Sequence, residues 1–282
     1  MSHAALQLNR SESFKLGHSE IELEPAELDV REQVGGGGFS LVYRALFHGA
    51  PVAVKKWFDP DHTAELLADF QEEVEVLRRV RHPNIVQVIG ACTKPPNLHI
   101  VFEYIPNTLH SVLHESSMEM DRKRIVAIMM DAVRAFRYLH TRKPPIVHRD
   151  IKPSNFLVTR AWNIKLCDFG LASRNKAPTA GTPAYMAPEL HAGDANYGPA
   201  VDIYALGVLL CEVACRQVPF DGLSALDIRN AVLNDGERPK VTLSCPRAFK
   251  TIFESCWSKD ASARPSAEAL FDLLKDVPTT AV

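Results

Sequence analysis

Residues 148–155 read His148-Arg149-Asp150-Ile151-Lys152-Pro153-Ser154-Asn155, placing an acid, an imidazole, two cations and an amide within one short run. Ile146-Val147 before it and Phe156-Leu157-Val158 after it are apolar, so the polar run lies between two segments suited to burial. An exposed loop carries such residues by chance, and the run gains meaning only from what surrounds it. Eighteen positions after Asp150 stands Asp168-Phe169-Gly170, an acid followed by an aromatic and a flexible residue. Asp168 and Asn155 offer the hard oxygen ligands that Mg²⁺ takes, with phosphates and water completing the shell. Ala187-Pro188-Glu189 closes the segment.

Upstream, Val52-Ala53-Val54-Lys55 ends a strand-like run, and alternation places Lys55 with Ala53 on the inner face. A lysine at such a position usually snorkels to water. The next periodic segment argues otherwise. Leu66, Phe70, Val74 and Leu77 form a helical stripe that includes Glu73. A carboxylate facing a core needs a partner, and Lys55 is the candidate. Earlier still, Gly35-Gly36-Gly37-Gly38-Phe39-Ser40-Leu41-Val42 joins two strand-like runs. Glycines there let backbone N–H groups approach a polyphosphate without a Cβ in the way. Alone, a flexible turn explains the run equally well. No Gly-Lys-Ser/Thr follows, so it is not a Walker A loop, and a strand rather than a helix comes next, unlike a dinucleotide fingerprint.

Composition narrows the class. A chain of 282 residues is one large domain or two modest lobes. With 46% hydrophobic and 23% charged residues it is globular, which excludes wholesale disorder. Thirty-two basic against 34 acidic residues leave a net charge of −2, too balanced for a nucleic-acid or membrane binder acting by field alone. The longest apolar stretch, Ile203 to Cys215, contains Glu212, follows Asp202 and falls short of the ~20 residues of a membrane span. The first twenty residues have no secretory h-region, Ser2 excludes myristoylation, and the TTAV end has no prenylation cysteine, so a cytoplasmic, intracellular setting is expected. Six cysteines in that setting are read as reduced thiols. Cys211 and Cys215 share one helix face, and read as small residues on a buried helix because no second ligand pair stands nearby in sequence.

Residues 1–24 read as a polar tail, 25–276 as the folded domain and 277–282 as a second tail. Strands are predicted over 28–34, 41–47, 52–57, 85–89 and 99–104, with one helix over 63–79. Beyond Pro106 the periodicity is mainly helical. Ile125, Ile128, Ala132, Phe136 and Leu139 mark a long amphipathic helix, Ala200 to Cys215 a core helix, and 224–230, 247–258 and 266–275 weaker ones. Strands first and helices later give an α+β layout in two lobes, divided near residue 105.

In order and spacing these motifs resemble those of the eukaryotic protein kinase domain, over about residues 25–276. The resemblance implies a two-lobed α+β fold: a small antiparallel-sheet lobe with one main helix, and a larger helical lobe. It implies ATP and Mg²⁺ as cofactors, with Mn²⁺ as the alternative ion. Val34, Gly35, Gly36, Gly37, Gly38, Phe39 and Val42 would cover the nucleotide. Lys55 would hold the α- and β-phosphates while paired with Glu73. Phe102 matches the gatekeeper, Glu103 to Ile105 the hinge facing adenine, and Ala53 and Leu157 its apolar sandwich. Asp150 would accept or orient the substrate hydroxyl, Lys152 would neutralise the γ-phosphate, and Asn155 and Asp168 would bind the metal. Glu189 and Arg264 match the ion pair that anchors the activation segment. In that segment Thr182 matches the residue that contacts the catalytic Asp, which leaves Thr179 as an acceptor for an upstream kinase or for self-phosphorylation. Lys152-Pro153-Ser154 with Gly181-Thr182-Pro183-Ala184-Tyr185-Met186 resembles a Ser/Thr kinase acting on protein hydroxyls. The hinge and the Cys256-Trp257 region resemble the tyrosine-kinase-like branch, which includes the Raf, mixed-lineage and leucine-rich-repeat kinases. One position departs: Ser40 stands where the family has the third loop glycine. The alternative reading is an ATP-binding scaffold with little or no phosphoryl transfer.

Overall fold

The turn at His48-Gly49 separates two β-branched runs into paired strands. A computed structural model describes residues 22–37, 40–58, 64–172 and 177–279, in two compact units, 22–74 with 88–104 and 75–87 with 105–279. The first unit holds β1 (Leu28–Gly37), β2 (Ser40–Phe47), β3 (Ala50–Trp57), most of α1 (Ala64–Arg78), β4 (Val88–Cys92) and β5 (His99–Glu103). Its strands form one antiparallel sheet in the order β1-β2-β3-β5-β4. Val52 and Val54 of β3 are buried with Leu28, Ala45, Cys92 and Val101 on one face. Ala53 and Lys55 lie on the opposite face, so the face that alternation makes inner is the partly buried one. Glu22 and Leu23 join this sheet's edge: Leu23 N–H donates to Ala91 O at 2.8 Å and Thr93 Oγ1 to Glu22 at 2.7 Å.

The second unit holds β6 (Asn107–Thr108), α2 (Arg122–His140), β7 (Phe156–Val158), β8 (Ile164–Leu166), α3 (Pro188–His191), α4 (Ala200–Cys215), α5 (Ala225–Asn230), α6 (Arg247–Cys256) and α7 (Ala267–Lys275). Asp121 caps α2 and Ser266 caps α7, each side chain accepting an N–H of the first turn. α4 is apolar all round and accordingly buried from Val201 to Val213, packed against α2 and α6. α2 buries Phe136 and Leu139 completely, each worth about 1.5–3 kcal/mol of burial.

Two expectations need correction. The strand predicted over 85–89 forms over Val88–Cys92 instead. Residues 84–86 pair with β8: Val86 N–H donates to Leu166 O, Leu166 N–H to Asn84 O, and Ile85 bridges Leu166. The apolar run shows a strand, but periodicity does not show its partner. The helical character expected after Pro106 also omits the small sheet β6-β7-β8, whose strands of two or three residues are too short to set a pattern.

Gly207 marks where α4 and α6 meet, because a Cβ there would lie 2.6 Å from Cys256 Cβ. Gly207→Ala is expected to cost about 1–3 kcal/mol by overpacking, more than the ~1 kcal/mol that alanine gains over glycine as a helix former. Urea unfolding reads the difference, and a stabilised variant would show that α6 yields at this crossing.

Candidate active site

In the first unit, register decides which side chains share a face. Val42 pairs with Lys55, and Ala53 with Phe102, so these four lie on one side of the sheet with Gly35 opposite Val42. β1 continues through Gly35, Gly36 and Gly37 rather than ending in a turn before them. A Cβ on Gly36 would meet Leu41 Cδ2 at 2.6 Å, which the leucine side chain can relieve by turning, and Ser40 O at 3.3 Å. Val34 is exposed, Phe102 is buried, and Glu103 ends β5. The expected site residues Gly38 and Phe39 lie outside the described residues. Lys55 Nζ donates to both carboxylate oxygens of Glu73, at 2.8 and 3.0 Å, with the two side chains 11% and 1% exposed. The stripe on α1 brings this about: Phe70 and Val74 are buried, and Phe70 meets Trp57 edge-on at 5.9 Å.

In the second unit the 148–155 run folds into a knot of hydrogen bonds. Asp150 receives Thr182 Oγ1 on Oδ1 at 2.7 Å and Asn155 Nδ2 on Oδ2 at 2.9 Å. Lys152 Nζ stands 2.8 Å from Asp150 Oδ2 and donates to Thr182 Oγ1 at 2.9 Å. Because Nδ2 of Asn155 also donates to Asp150 O at 2.7 Å, its Oδ1 is the atom left to face a cation. Cys167 N–H donates to Asn155 O at 2.9 Å, which ties the chain just before Asp168 to this loop. Arg149 and Asp168 adopt φ of 68° and 60°, left-handed conformations that non-glycine residues hold only when their surroundings impose them. Phe169 is buried edge-on to His148 at 5.0 Å. Leu157 lies on β7 and Ile105 just before β6, both half-buried. Arg149 is buried, which lowers its guanidinium pKa, and it donates to Leu171 O at 2.7 Å. Arg264 forms the expected bidentate pair with Glu189, at 2.6 and 2.9 Å.

Three buried carboxylates matter here whose role does not show in the sequence. Asp202 of α4 accepts the backbone N–H of His148 on Oδ2 and of Arg149 on Oδ1, both at 2.9 Å, and takes His140 Nε2 at 3.0 Å. Asp131 of α2 accepts Ile164 N–H at 3.1 Å and so holds β8. Glu212 of α4 accepts Tyr185 Oη at 2.6 Å, while burial and the neighbouring carboxylate push the Tyr185 phenol pKa upward. One signal was available for the two on α4: an acid that interrupts an apolar helix must have a partner.

The protein is 38% identical over 277 residues to the serine/threonine-protein kinase CTR1 of Arabidopsis thaliana, an alignment covering 95% of this chain and 34% of that protein. It is 37% identical over 267 residues to "Probable serine/threonine-protein kinase SIS8" of the same plant, covering 91% of this chain and 26% of that one. The dual specificity protein kinase shkC of Dictyostelium discoideum is 33% identical over 266 residues, 91% of this chain and 52% of that protein. The chain therefore spans between about a quarter and half the length of these relatives. Among the described residues, no helix is long and apolar enough to cross a membrane. Residues 28–273 match the protein kinase domain, and with Lys55, Glu73, Asp150 and Asn155 all inside that span the chain belongs to the protein kinase family.

Proposed function

We propose that the protein transfers the γ-phosphoryl group of MgATP to Ser or Thr hydroxyls of protein substrates. The observation carrying this reading is the cluster at Asp150, where one carboxylate meets Lys152, Asn155 and Thr182. The donors suit the cofactor. Asn155 Oδ1 and the Asp168 carboxylate are oxygens of the kind Mg²⁺ takes, with Mn²⁺ as the alternative. Lys55, held by Glu73, is a cation for the α- and β-phosphates, and a strand that ends in Gly35, Gly36 and Gly37 suits close approach to a phosphate. When bound, MgATP supplies the phosphoryl group and the metal offsets its charge.

Asp150 orients the acceptor hydroxyl and takes its proton on a carboxylate oxygen, while Thr182 fixes the carboxylate by donating to Oδ1. Lys152, already beside Asp150, sets a positive charge where negative charge grows. Little covalent chemistry falls to the protein, so positioning carries most of the rate. The test is radiolabelled γ-phosphate transfer to a generic protein substrate, with phosphoamino-acid analysis and Asp150→Asn as control. Label on Ser or Thr that vanishes in the variant supports the reading. Equal labelling by both proteins, with contaminating kinases excluded, would favour a scaffold.

Regulation follows from the same segment. Thr179 is exposed, and Arg149 lies between the carbonyls of Leu171 and Ala177, which it reaches at 2.7 and 3.4 Å. A phosphate on Thr179 adds about −1.5 to −2 charge and would draw this guanidinium into charge-assisted hydrogen bonds. Preincubation with ATP, or with an upstream kinase, is then expected to activate dephosphorylated wild type and not Thr179→Ala. Equal activation would move the switch to Ser173, which lies outside the described residues.

A further inference from the structure

Away from Asp150, the second unit contains a group of ligating side chains that phosphoryl transfer does not use. His110, His114 and Glu212 each set one ligand atom within 4.8 Å of the others. His114 Nε2 lies 2.8 Å from Glu212 Oε1, and Tyr185 donates to Glu212 Oε2 at 2.6 Å. The two imidazole rings are 5.0 Å apart, centroid to centroid. The Glu212 side chain is 1% exposed, that of His114 16% and that of His110 42%, so the group runs from a buried acid to an open edge through which an ion can enter.

The backbone holds these donors in place. His110 and His114 sit at the start and within a π-type turn, Ser111–Glu115, a rare form that appears often at functional sites. Arg216, one turn past Glu212, clamps this turn by donating to the carbonyls of Val112, Leu113, Ser116 and Met118 at 2.7–3.2 Å. The helix that bears the carboxylate is thereby fixed to the turn that bears the imidazoles.

We propose that His110, His114 and Glu212 form a binding site for one Zn²⁺ ion. Two imidazole nitrogens and a carboxylate oxygen, with water in the fourth position, are a donor set zinc uses. Mg²⁺ prefers oxygens alone, so the ion at Asn155 and Asp168 and the ion here would not compete for one site. On binding, the metal replaces the His114–Glu212 hydrogen bond: Nε2 turns its lone pair to the ion, and the ring proton moves to Nδ1. Tyr185 keeps its hydrogen bond to Oε2 and orients the ligating carboxylate from outside. Because Tyr185 lies three residues after Thr182, an occupied site ties α4 to the segment that contacts Asp150.

The experiment is titration of the whole nucleotide-free chain with Zn²⁺ against a chromophoric chelator, repeated with Co²⁺ as an optical probe. One ion per chain is expected. His110→Ala and His114→Ala should each weaken binding at least ~10–100-fold, and Tyr185→Phe should fall within that range, as outer partners of metal ligands do. The Co²⁺ spectrum should lack a thiolate charge-transfer band, which separates this site from Cys211 and Cys215, whose thiols are 4.0 Å apart. Circular dichroism of the metal-free variants checks their folding, and the half-exposed His110 keeps the test decisive if His114→Ala misfolds. Wild type that binds no zinc, His110→Ala that binds it as well as wild type, or a thiolate band that persists in that variant would each overturn the proposal.

Discussion

Asp150→Asn is expected to lower turnover by about 10²–10⁴-fold, the usual contribution of a positioned general base. The substitution preserves shape and damages chemistry in two ways. An amide cannot take the acceptor's proton. Its nitrogen must also sit where Oδ2 now receives Asn155 Nδ2 at 2.9 Å and lies 2.8 Å from Lys152 Nζ, or else displace Thr182 from Oδ1. The first arrangement sets donor against donor, and the second forces the Thr182 hydroxyl to turn from donor to acceptor. Nucleotide affinity should hold, because the proposed nucleotide ligands are Lys55, Asn155 and Asp168. Steady-state kinetics with a fluorescent-nucleotide titration separates the two quantities, and turnover within tenfold of wild type would remove Asp150 from the base role. Asp168→Ala provides the contrast: turnover should collapse together with a raised requirement for the divalent cation.

Lys55→Met is the second large effect, expected to lower turnover about a hundredfold or more. The analogy is removal of one preorganised charge donor, worth ~3 kcal/mol in the barrier. The variant also leaves the Glu73 carboxylate buried without its ammonium, and breaking a buried pair costs about 3–5 kcal/mol of stability. Melting curves must therefore accompany the kinetics. Glu73→Gln is the informative companion, since it keeps the cation and removes only the charge that holds it. A loss below tenfold in folded Lys55→Met would assign the phosphate charge to another cation.

Local patterns made the first pair readable. Alternation on β3 and the stripe on α1 each single out one residue, Lys55 and Glu73, and the structure joins them. Asp150, Lys152 and Asn155 lie within five positions of one another, so their company required no knowledge of the fold. Asp202 and Glu212 are another matter. Their acidity interrupts an apolar run, which is visible, but the partners of Asp202 lie 53 to 62 positions away and those of Glu212 27 and 98. No window of sequence contains both halves of such a contact. The same reason explains residues 84–86, whose strand partner is β8, 80 residues further along. Register obeys a related limit: alternation divided Val52 and Val54 from Ala53 and Lys55, and only the structure showed which side the core occupies.

Asp202 has a bearing on the order of assembly. The backbone of His148 and Arg149 takes its shape from a carboxylate that arrives 54 and 53 residues later in the chain, on a helix buried from Val201 to Val213. Closing so long a loop is entropically costly and becomes favourable only once α4 is seated. The loop of residues 148–155 therefore acquires its form only with α4 in place. Asp202 is added to the growing chain after the whole of that loop, so the loop cannot take this form until synthesis has passed the start of α4.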